Sequence, residues 1–310
     1  MEILITGATG FIGKNLVEAL VKEGSHQLYA LVRKASKSDF LKKQGVNLIY
    51  ADITSAESLK EVRQYKIDAV FHCAGYIEDN NREKLYQVNV LGTENICRLA
   101  LELNVERLVY LSSVAVVSGN SQVPLTEDLA FSATNIYGLS KIEAEKKVLE
   151  FRKKGLNAAI LRPCMVYGEE EPHLLGLILF LLKYRLLPIV NAGKNKLHLV
   201  YVKNVVNALI LALHKNEFLK GAFFVADEEV LTVKEIFSIF SQAIYARPPF
   251  VLSMWLVPLI ERIPFAGGEL KFFLKDRVYD ISRIKSCGYK GEFKAEDSLI
   301  RTAQYWLNNR

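Results

Sequence analysis

Short apolar segments alternate with helical patterns through the first half of the chain, and this alternation restricts the fold more than any other feature. Continuous apolar runs of strand length are typical of parallel strands whose two faces are both covered by helices. The predicted strands span 3–6, 27–32, 46–50, 69–73, 108–112 and 158–161, and the predicted helices span 11–23, 56–64, 82–103 and 137–154. The sequence therefore predicts the α/β class, with a doubly wound parallel sheet and right-handed crossovers.

The alternation ends near residue 165, beyond which the pattern is mostly helical. Short strands are predicted at 197–202 and 222–226, and we expect the main sheet to include both. We predict a larger domain of residues 1–165 and 197–227, and a smaller, mostly helical lobe of residues 166–196 and 228–310. Open parallel sheets bind ligands beyond the carboxyl ends of their strands, so we expect the smaller lobe to cover that crevice and to bind a small-molecule substrate.

Charge and cysteine content indicate which classes of protein function the sequence does not favour. The chain carries 40 Lys and Arg against 34 Asp and Glu, and the two signs are interspersed, so the net charge of +6 does not predict nucleic-acid binding. The four cysteines lie far apart without a C-x-x-C pair, which predicts neither a disulfide framework nor a metal site. This usage is typical of a cytoplasmic protein, and a strand predicted near residue 2 leads us to expect no signal peptide.

Two apolar stretches, at 174–182 and 248–260, bear on membrane contact. Both are shorter than the roughly 20 residues that span a bilayer, so we predict no transmembrane segment. Burial in the core, contact with an apolar substrate and peripheral contact with a membrane surface would each explain them. The sequence leaves these three interpretations open.

Residues 6–13, T-G-A-T-G-F-I-G, follow the first predicted strand and open the first predicted helix. Glycines allow a tight turn and close approach of the backbone, and a helix N-terminus offers N–H groups and a positive dipole to a phosphate. In this context the segment predicts a Rossmann-type site for the pyrophosphate of a dinucleotide. The residues assigned to that contact are Gly7, Thr9, Gly10, Phe11, Ile12 and Gly13.

The end of the second predicted strand bears on which nicotinamide dinucleotide binds. An acidic residue there binds the ribose hydroxyl of NAD, whereas a basic residue accommodates the 2′-phosphate of NADP. The chain reads L-V-R-K-A-S-K, with Arg33 and Lys34 and no acid. Because a guanidinium can hold a phosphate through paired hydrogen bonds, we predict NADP in preference to NAD.

The segment N-I-Y-G-L-S-K places Tyr137 and Lys141 four residues apart, on one face of a predicted helix. That spacing alone is a weak signal, but further motifs follow the glycine turn in order. They are Asp52-Ile53, H-C-A-G at 72–75, N-V-L-G-T at 89–93, L-S-S at 111–113 and R-P-C-M-V-Y-G at 162–168. Together they make nearly the whole chain resemble the extended short-chain dehydrogenase/reductase family, within the NAD-dependent epimerase/dehydratase superfamily.

The resemblance implies a set of functional residues. The catalytic set is Ser113, Tyr137 and Lys141, with Asn89 supporting the site. Implied cofactor contacts beyond the glycine turn and Arg33 are Lys34, Asp52, Ile53, Cys73, Ala74, Gly75, Tyr137, Lys141, Arg162, Pro163 and Val166. In this family the tyrosine donates or accepts the proton, the serine steadies the developing oxyanion, and the lysine holds the nicotinamide ribose.

Two expectations about the catalytic set follow from general chemistry. An ammonium near the Tyr137 phenol would stabilise the phenolate and lower the pKa of the tyrosine. Neighbouring residues at a strand end face opposite ways, so one of Ser112 and Ser113 points into the site. We assign the role to Ser113, with Ser112 as the alternative.

Within the family, the nearest resemblance is to dihydroflavonol reductases and 3β-hydroxysteroid dehydrogenases. It rests on L-V-Y-V-K-N-V-V-N-A-L at 199–209 and F-F-V-A-D-E-E at 223–229. A lobe rich in apolar residues, Met254 and Trp255 among them, would suit an apolar substrate. Dehydratases of the family carry Thr-Asp-Glu where this chain has Ser113-Val114-Ala115, so we expect no elimination chemistry.

The sequence therefore predicts an NADP-dependent oxidoreductase that interconverts a ketone and a secondary alcohol on an apolar or phenolic small molecule. Two alternatives stay open: an epimerase of nucleotide sugars with tightly bound NAD, and a non-catalytic nucleotide-binding assembly protein. A homodimer is a further expectation from the resemblance.

Overall fold

The computed structural model describes residues 1–252 and 275–309. The strands, in chain order, are β1 (Glu2–Thr6), β2 (Gln27–Val32), β3 (Asn47–Tyr50), β4 (Ala69–His72), β5 (Arg107–Leu111), β6 (Ala158–Pro163), β7 (Met165–Tyr167), β8 (Ile189–Val190), β9 (Lys196–Tyr201), β10 (Ala222–Val225), β11 (Val230–Thr232) and β12 (Val251–Leu252). Seven of them form one sheet in the order β10-β6-β5-β4-β1-β2-β3, and every pairing in it is parallel. The predicted doubly wound sheet is therefore confirmed.

Helices cover both faces of this sheet. The α-helices of the described residues are α1 (Phe11–Glu23), α2 (Asp39–Lys43), α3 (Arg82–Leu85), α4 (Gly92–Glu102), α5 (Ile136–Lys153), α6 (Leu175–Lys183), α7 (Val202–His214), α8 (Val233–Ala243), α9 (Ser282–Ser286) and α10 (Ala295–Asn308). Along β1, Ile3 and Ile5 join the core cluster beneath α1 and α7, whereas Leu4 joins the cluster beneath α4 and α5. Successive strand residues point to opposite faces, so a strand buried on both sides needs a continuous apolar run.

The register aligns the carboxyl ends of the central strands. Thr6 at the end of β1 lies opposite Leu31 of β2 and His72 of β4. The segments that follow these strands, and those that follow β5 and β6, therefore meet at one edge of the sheet. This edge carries most of the residues singled out from the sequence.

Two local predictions are refined by the structure. The segment predicted as a helix at 56–64 is a 3₁₀ helix, Ser58–Gln64. The segment predicted at 82–103 contains a π-helical stretch, Tyr86–Leu91, between α3 and α4. π-helical turns are frequent at functional sites, and this one contains Asn89.

The predicted place of one strand is wrong. We expected the main sheet to include both 197–202 and 222–226, but only β10 joins it, beside β6. Strand β9 pairs with β7 and β11 in a separate three-stranded sheet. Strand β6 stays bonded to β10 as far as Cys164, whose N–H donates to the Val225 carbonyl oxygen at 3.0 Å, and the next three residues form β7, which pairs with β9.

A third core cluster joins this small sheet to α6, α8 and α10 over the carboxyl edge. Its buried members include Leu179, Phe237, Phe240 and Leu299. The division into two lobes stays a prediction, and Met254 and Trp255 lie outside the described residues. Within residues 1–252 and 275–309, no helix is long and apolar enough to cross a membrane.

Candidate active site

The glycine turn brings the backbones of β1, β4 and α1 into direct contact. Gly7 has φ +72°, and a Cβ atom there would lie 2.6 Å from the Ala74 nitrogen. A Cβ atom on Gly13 would lie 2.1 Å from the Gly7 carbonyl oxygen. Only glycine fits at both positions. Helix α1 starts at Phe11 without a side-chain cap, so the N–H groups of its first turn remain available to an anionic ligand.

A cavity of about 580 Å³ opens at the carboxyl edge, between the main sheet and the third core cluster. Its lining includes much of the predicted set: Gly7, Gly10, Phe11, Ile12, Gly13, Cys73, Gly75, Ser113, Tyr137, Lys141, Pro163 and Val166. These residues come from separate segments that follow β1, β4, β5 and β6, together with the start of α5. The crevice expected from the doubly wound topology is therefore present.

Tyr137 lies in the first turn of α5, where Asn135 caps the helix by accepting the Gly138 N–H at 2.8 Å. A side-chain hydrogen bond joins Tyr137 to Ser113. Ser112 also lines the cavity, but its hydroxyl donates to the buried carboxylate of Glu145. The geometry therefore favours Ser113 over Ser112 as the partner of the tyrosine.

Burial raises the pKa of Tyr137, and the hydrogen bond to Ser113 opposes that rise only in part. The expectation from the sequence, a lowered pKa caused by Lys141, is wrong in direction for this structure. Loss of water around the phenol disfavours the phenolate more than the neighbouring groups favour it.

Lys141 is buried against β5. Its Nζ donates to the Leu111 carbonyl oxygen at 2.9 Å and to the Tyr110 hydroxyl at 3.4 Å. Burial lowers the pKa of Lys141 to about 8, although the carboxylate of Glu145 acts in the opposite direction. Lys141 is thus a cation whose charge is sensitive to pH in a mildly alkaline range.

Asn89 supports the loop that follows β4. Its Oδ1 accepts the Tyr76 N–H at 2.8 Å, and its Nδ2 donates to the Tyr76 carbonyl oxygen and to Ser140 Oγ, both at 2.9 Å. Asp79 in the same loop accepts the Tyr137 N–H at 2.7 Å. Sequence reasoning missed Asp79, which ties the loop to the start of α5.

Glu145, fully buried on α5, was also missed. Its oxygens accept hydrogen bonds from Arg162, at 2.9 Å from Nε and at 2.7 Å from a terminal nitrogen, and from the Ser112 hydroxyl. The sequence could have indicated Glu145, since it lies four residues after Lys141 on the same predicted helix.

Arg162 is absent from the cavity lining, and its guanidinium pairs with Glu145 rather than facing the cavity. A cofactor contact by that side chain is therefore not supported.

The other predicted cofactor residues lie around the cavity without lining it. Arg33 and Lys34 follow β2 on the surface, and neither forms an ion pair with another residue that the structure describes. Asp52 accepts the N–H and hydroxyl of Thr54, at 2.9 and 2.8 Å, and Ile53 packs against α4. Thr9 is exposed in the glycine turn, and the Ala74 N–H donates to Thr6 Oγ1 at 3.2 Å. Their cofactor roles stay predictions.

The wall of the cavity formed by the third core cluster is mainly apolar. It is formed by Leu174, Leu175, Ile178, Leu197, Leu199, Ile236, Phe237 and Phe240. Among the described lining residues, Lys141 and His173 are the basic side chains. Glu171 caps α6 by accepting the N–H groups of Leu174 and Leu175 at 3.1 and 2.9 Å. Sequence reasoning singled out the apolar stretch at 174–182, which supplies Leu174, Leu175 and Ile178, but not the other side chains of this wall.

Comparison with known proteins agrees with this geometry. Residues 3–226 match the model of the NAD dependent epimerase/dehydratase family. The chain belongs to this family. It is therefore an enzyme of the extended short-chain dehydrogenase/reductase type that uses a nicotinamide dinucleotide, as the sequence predicted.

Relatives of different activities align with the chain. A UDP-glucose 4-epimerase of Vibrio cholerae is 28% identical, over 100% of this chain and 97% of the relative. The human sterol-4-alpha-carboxylate 3-dehydrogenase (decarboxylating) is 28% identical, over 99% and 88%. A 2-alkyl-3-oxoalkanoate reductase of Stenotrophomonas maltophilia is 30% identical, over 76% and 73%. Similarity at this level fixes the family but does not separate its epimerases from its oxidoreductases.

Proposed function

We propose that the protein is an NADP-dependent oxidoreductase that interconverts a ketone and a secondary alcohol on an apolar or phenolic small molecule. The observation that carries this proposal is the chemistry of the cavity, in which Tyr137 and Ser113 face a wall of aliphatic and phenylalanine side chains. Such a wall favours a substrate with little charge. The sterol dehydrogenase and oxoalkanoate reductase relatives have names consistent with that chemistry.

The residues of the glycine turn fit a dinucleotide. The Gly7 and Gly13 positions have no room for a side chain, and the uncapped start of α1 offers N–H groups to a pyrophosphate. We assign the pyrophosphate to this turn, the 2′-phosphate to Arg33 and Lys34, and the nicotinamide end to the region of Lys141, Pro163 and Val166. When bound, the nicotinamide supplies or accepts the hydride.

The chain itself handles the proton and the oxygen. In the reducing direction Tyr137, whose pKa is raised by burial, donates its proton to the carbonyl oxygen of the substrate. The Ser113 hydroxyl hydrogen-bonds to the same oxygen as negative charge develops there. Lys141, fixed by Leu111 and Tyr110, contributes a positive charge nearby. In the oxidising direction each transfer is reversed.

Titration of the purified, nucleotide-stripped protein with NADPH and NADH tests the cofactor part of the proposal. We expect a clear preference for NADPH, and about tenfold or greater loss of NADPH affinity in Arg33→Asp, because charged hydrogen bonds to a phosphate contribute about 1.5–3 kcal/mol. Lys37→Asp makes a similar charge change in the same exposed loop and serves as the matched control. Equal affinity for the two nucleotides, unchanged by Arg33→Asp, would refute the assignment.

The second candidate is an epimerase of nucleotide sugars, which is favoured by the alignment of the Vibrio cholerae epimerase over the whole chain. Against it, a diphosphate needs basic partners, and the described lining offers Lys141 and His173 without an arginine. Incubation with UDP-glucose distinguishes the two candidates. Conversion of the sugar without net change in nicotinamide absorbance would replace the oxidoreductase proposal with this one.

A further inference from the structure

Two surface segments of the small lobe expose large apolar side chains. The first includes the exposed side of α6 and the turn after it, with Leu177, Tyr184 and Leu186. The second follows α8 and includes Tyr245, Phe250 and Val251. Tyr245 is 86% exposed, Val251 64% and Leu186 60%. We call the surface formed by these six residues the outer face.

Backbone hydrogen bonds hold the two segments together. Strand β12 pairs with β8, where Val251 lies opposite Ile189, and the Ile189 N–H donates to the Phe250 carbonyl oxygen at 2.8 Å. The Leu186 N–H donates to the Leu181 carbonyl oxygen at 2.7 Å, which ties the turn to α6. Helices α6 and α8 also share one core cluster. The outer face is therefore a continuous surface on packed elements.

The charges on these segments are all positive. Lys183, Arg185 and Arg247 are exposed, and no ion pair joins any of them to another residue in the described part of the chain. The sequence has no Asp or Glu between residues 172 and 216 or between residues 236 and 260. The nearest acids along the chain, Glu171 and Glu235, cap the N-termini of α6 and α8, away from the turns that carry Arg185 and Arg247.

We propose that the outer face docks on the surface of an anionic lipid bilayer. Aromatic and aliphatic side chains enter the boundary between headgroups and acyl chains, while exposed cations bind headgroup phosphates. A second copy of the chain is a less suitable occupant, because it would bring two positively charged faces together. The contact is peripheral, since no described helix can cross a membrane.

Docking in this orientation would also affect access to the cavity. Ile178 of α6 lines the cavity, whereas its neighbour Leu177 belongs to the outer face. One helix thus separates the cavity from the proposed lipid surface. An apolar ligand dissolved in the bilayer would then be close to the cavity. The docking proposal itself does not depend on the proposed reaction.

Vesicle flotation of the full chain tests the proposal. Vesicles of phosphatidylcholine alone are compared with vesicles that also contain phosphatidylglycerol, at low and high salt. We expect binding to the anionic vesicles that weakens with salt. Arg185→Gln with Arg247→Gln should reduce partitioning about 30-fold, since each cation near an anionic surface contributes about 1 kcal/mol. Leu186→Ser with Tyr245→Ser should also reduce it strongly.

A matched control replaces exposed apolar residues elsewhere, Tyr50→Ser with Val123→Ser, and should leave partitioning unchanged. Circular dichroism and NADPH titration verify that each variant is folded. Failure of the wild-type chain to bind anionic vesicles would overturn the proposal. So would binding that persists in both outer-face variants, which would place the contact elsewhere on the chain. Sedimentation that shows an oligomer dissociated by Leu186→Ser with Tyr245→Ser, without vesicle binding, would instead identify an interface between copies.

Discussion

Replacement of Glu145 by Gln tests the buried charge cluster behind the candidate active site. The Glu145 side chain is fully buried and that of Arg162 is 6% exposed. Three hydrogen bonds from the guanidinium and one from the Ser112 hydroxyl converge on the carboxylate. The carboxylate also acts on two further cations, buried Lys141 and half-buried Arg152, because its charge opposes the lowering of their pKa values by burial.

Removal of one partner of a buried ion pair costs about 3–5 kcal/mol, because the remaining charge stays out of water without compensation. Glu145→Gln keeps the shape of the side chain but leaves Arg162, Arg152 and Lys141 without this carboxylate. Arg162→Met leaves Glu145 beside two other cations. We therefore expect Glu145→Gln to cost about 3–5 kcal/mol and Arg162→Met to cost less. The loss is large compared with a total stability of about 5–15 kcal/mol for typical proteins.

Urea unfolding of the wild type, both single variants and the double variant, followed by intrinsic fluorescence, measures these costs. In the double variant we expect at least about 1.5 kcal/mol of recovery relative to the sum of the single effects, since residues in contact are coupled. If Arg162→Met costs as much as Glu145→Gln, or if the effects add within about 0.5 kcal/mol, the charge-cluster argument is wrong.

Three further predictions concern the site itself. Tyr137→Phe should lower kcat by at least about 100-fold with little change in nucleotide affinity, because it removes the proton donor but not the binding surface; a near-normal kcat in a steady-state assay would refute the role. The pKa of Lys141, lowered to about 8, implies that its positive charge is present below that pH and is lost above it. We therefore expect kcat/KM to fall as pH rises through about 8. A pH profile that is flat across that range contradicts the argument. Gly13→Ala should abolish dinucleotide binding in a fluorescence titration and destabilise the fold by about 1–3 kcal/mol, because the new Cβ would lie 2.1 Å from a carbonyl oxygen. Normal dinucleotide binding by this variant would show that the glycine turn is not part of the site.

Much of the fold could be predicted from local patterns. Strands buried on both faces were identifiable because they are continuous apolar runs. The glycine turn, the Tyr137–Lys141 spacing and the basic end of β2 are sequence motifs that need no tertiary information. Strand β9 could not be placed in this way, because its residues have strand character in either sheet. Its partner is β7, which begins two residues after β6 ends and pairs with β9 outside the main sheet.

For the candidate active site, too, the sequence determined some features and the tertiary structure decided others. The residue types and the order of the motifs along the chain determined the family, and the resemblance implied the roles predicted for Ser113, Tyr137 and Lys141. Tertiary structure alone decided that Ser113 rather than Ser112 meets Tyr137, and that Arg162 serves Glu145 instead of the cavity. It also reversed the expected direction of the Tyr137 pKa shift. The physical reason is that strand ends, burial and hydrogen-bond partners are set by distant segments, whereas a sequence motif specifies only which chemical groups are available.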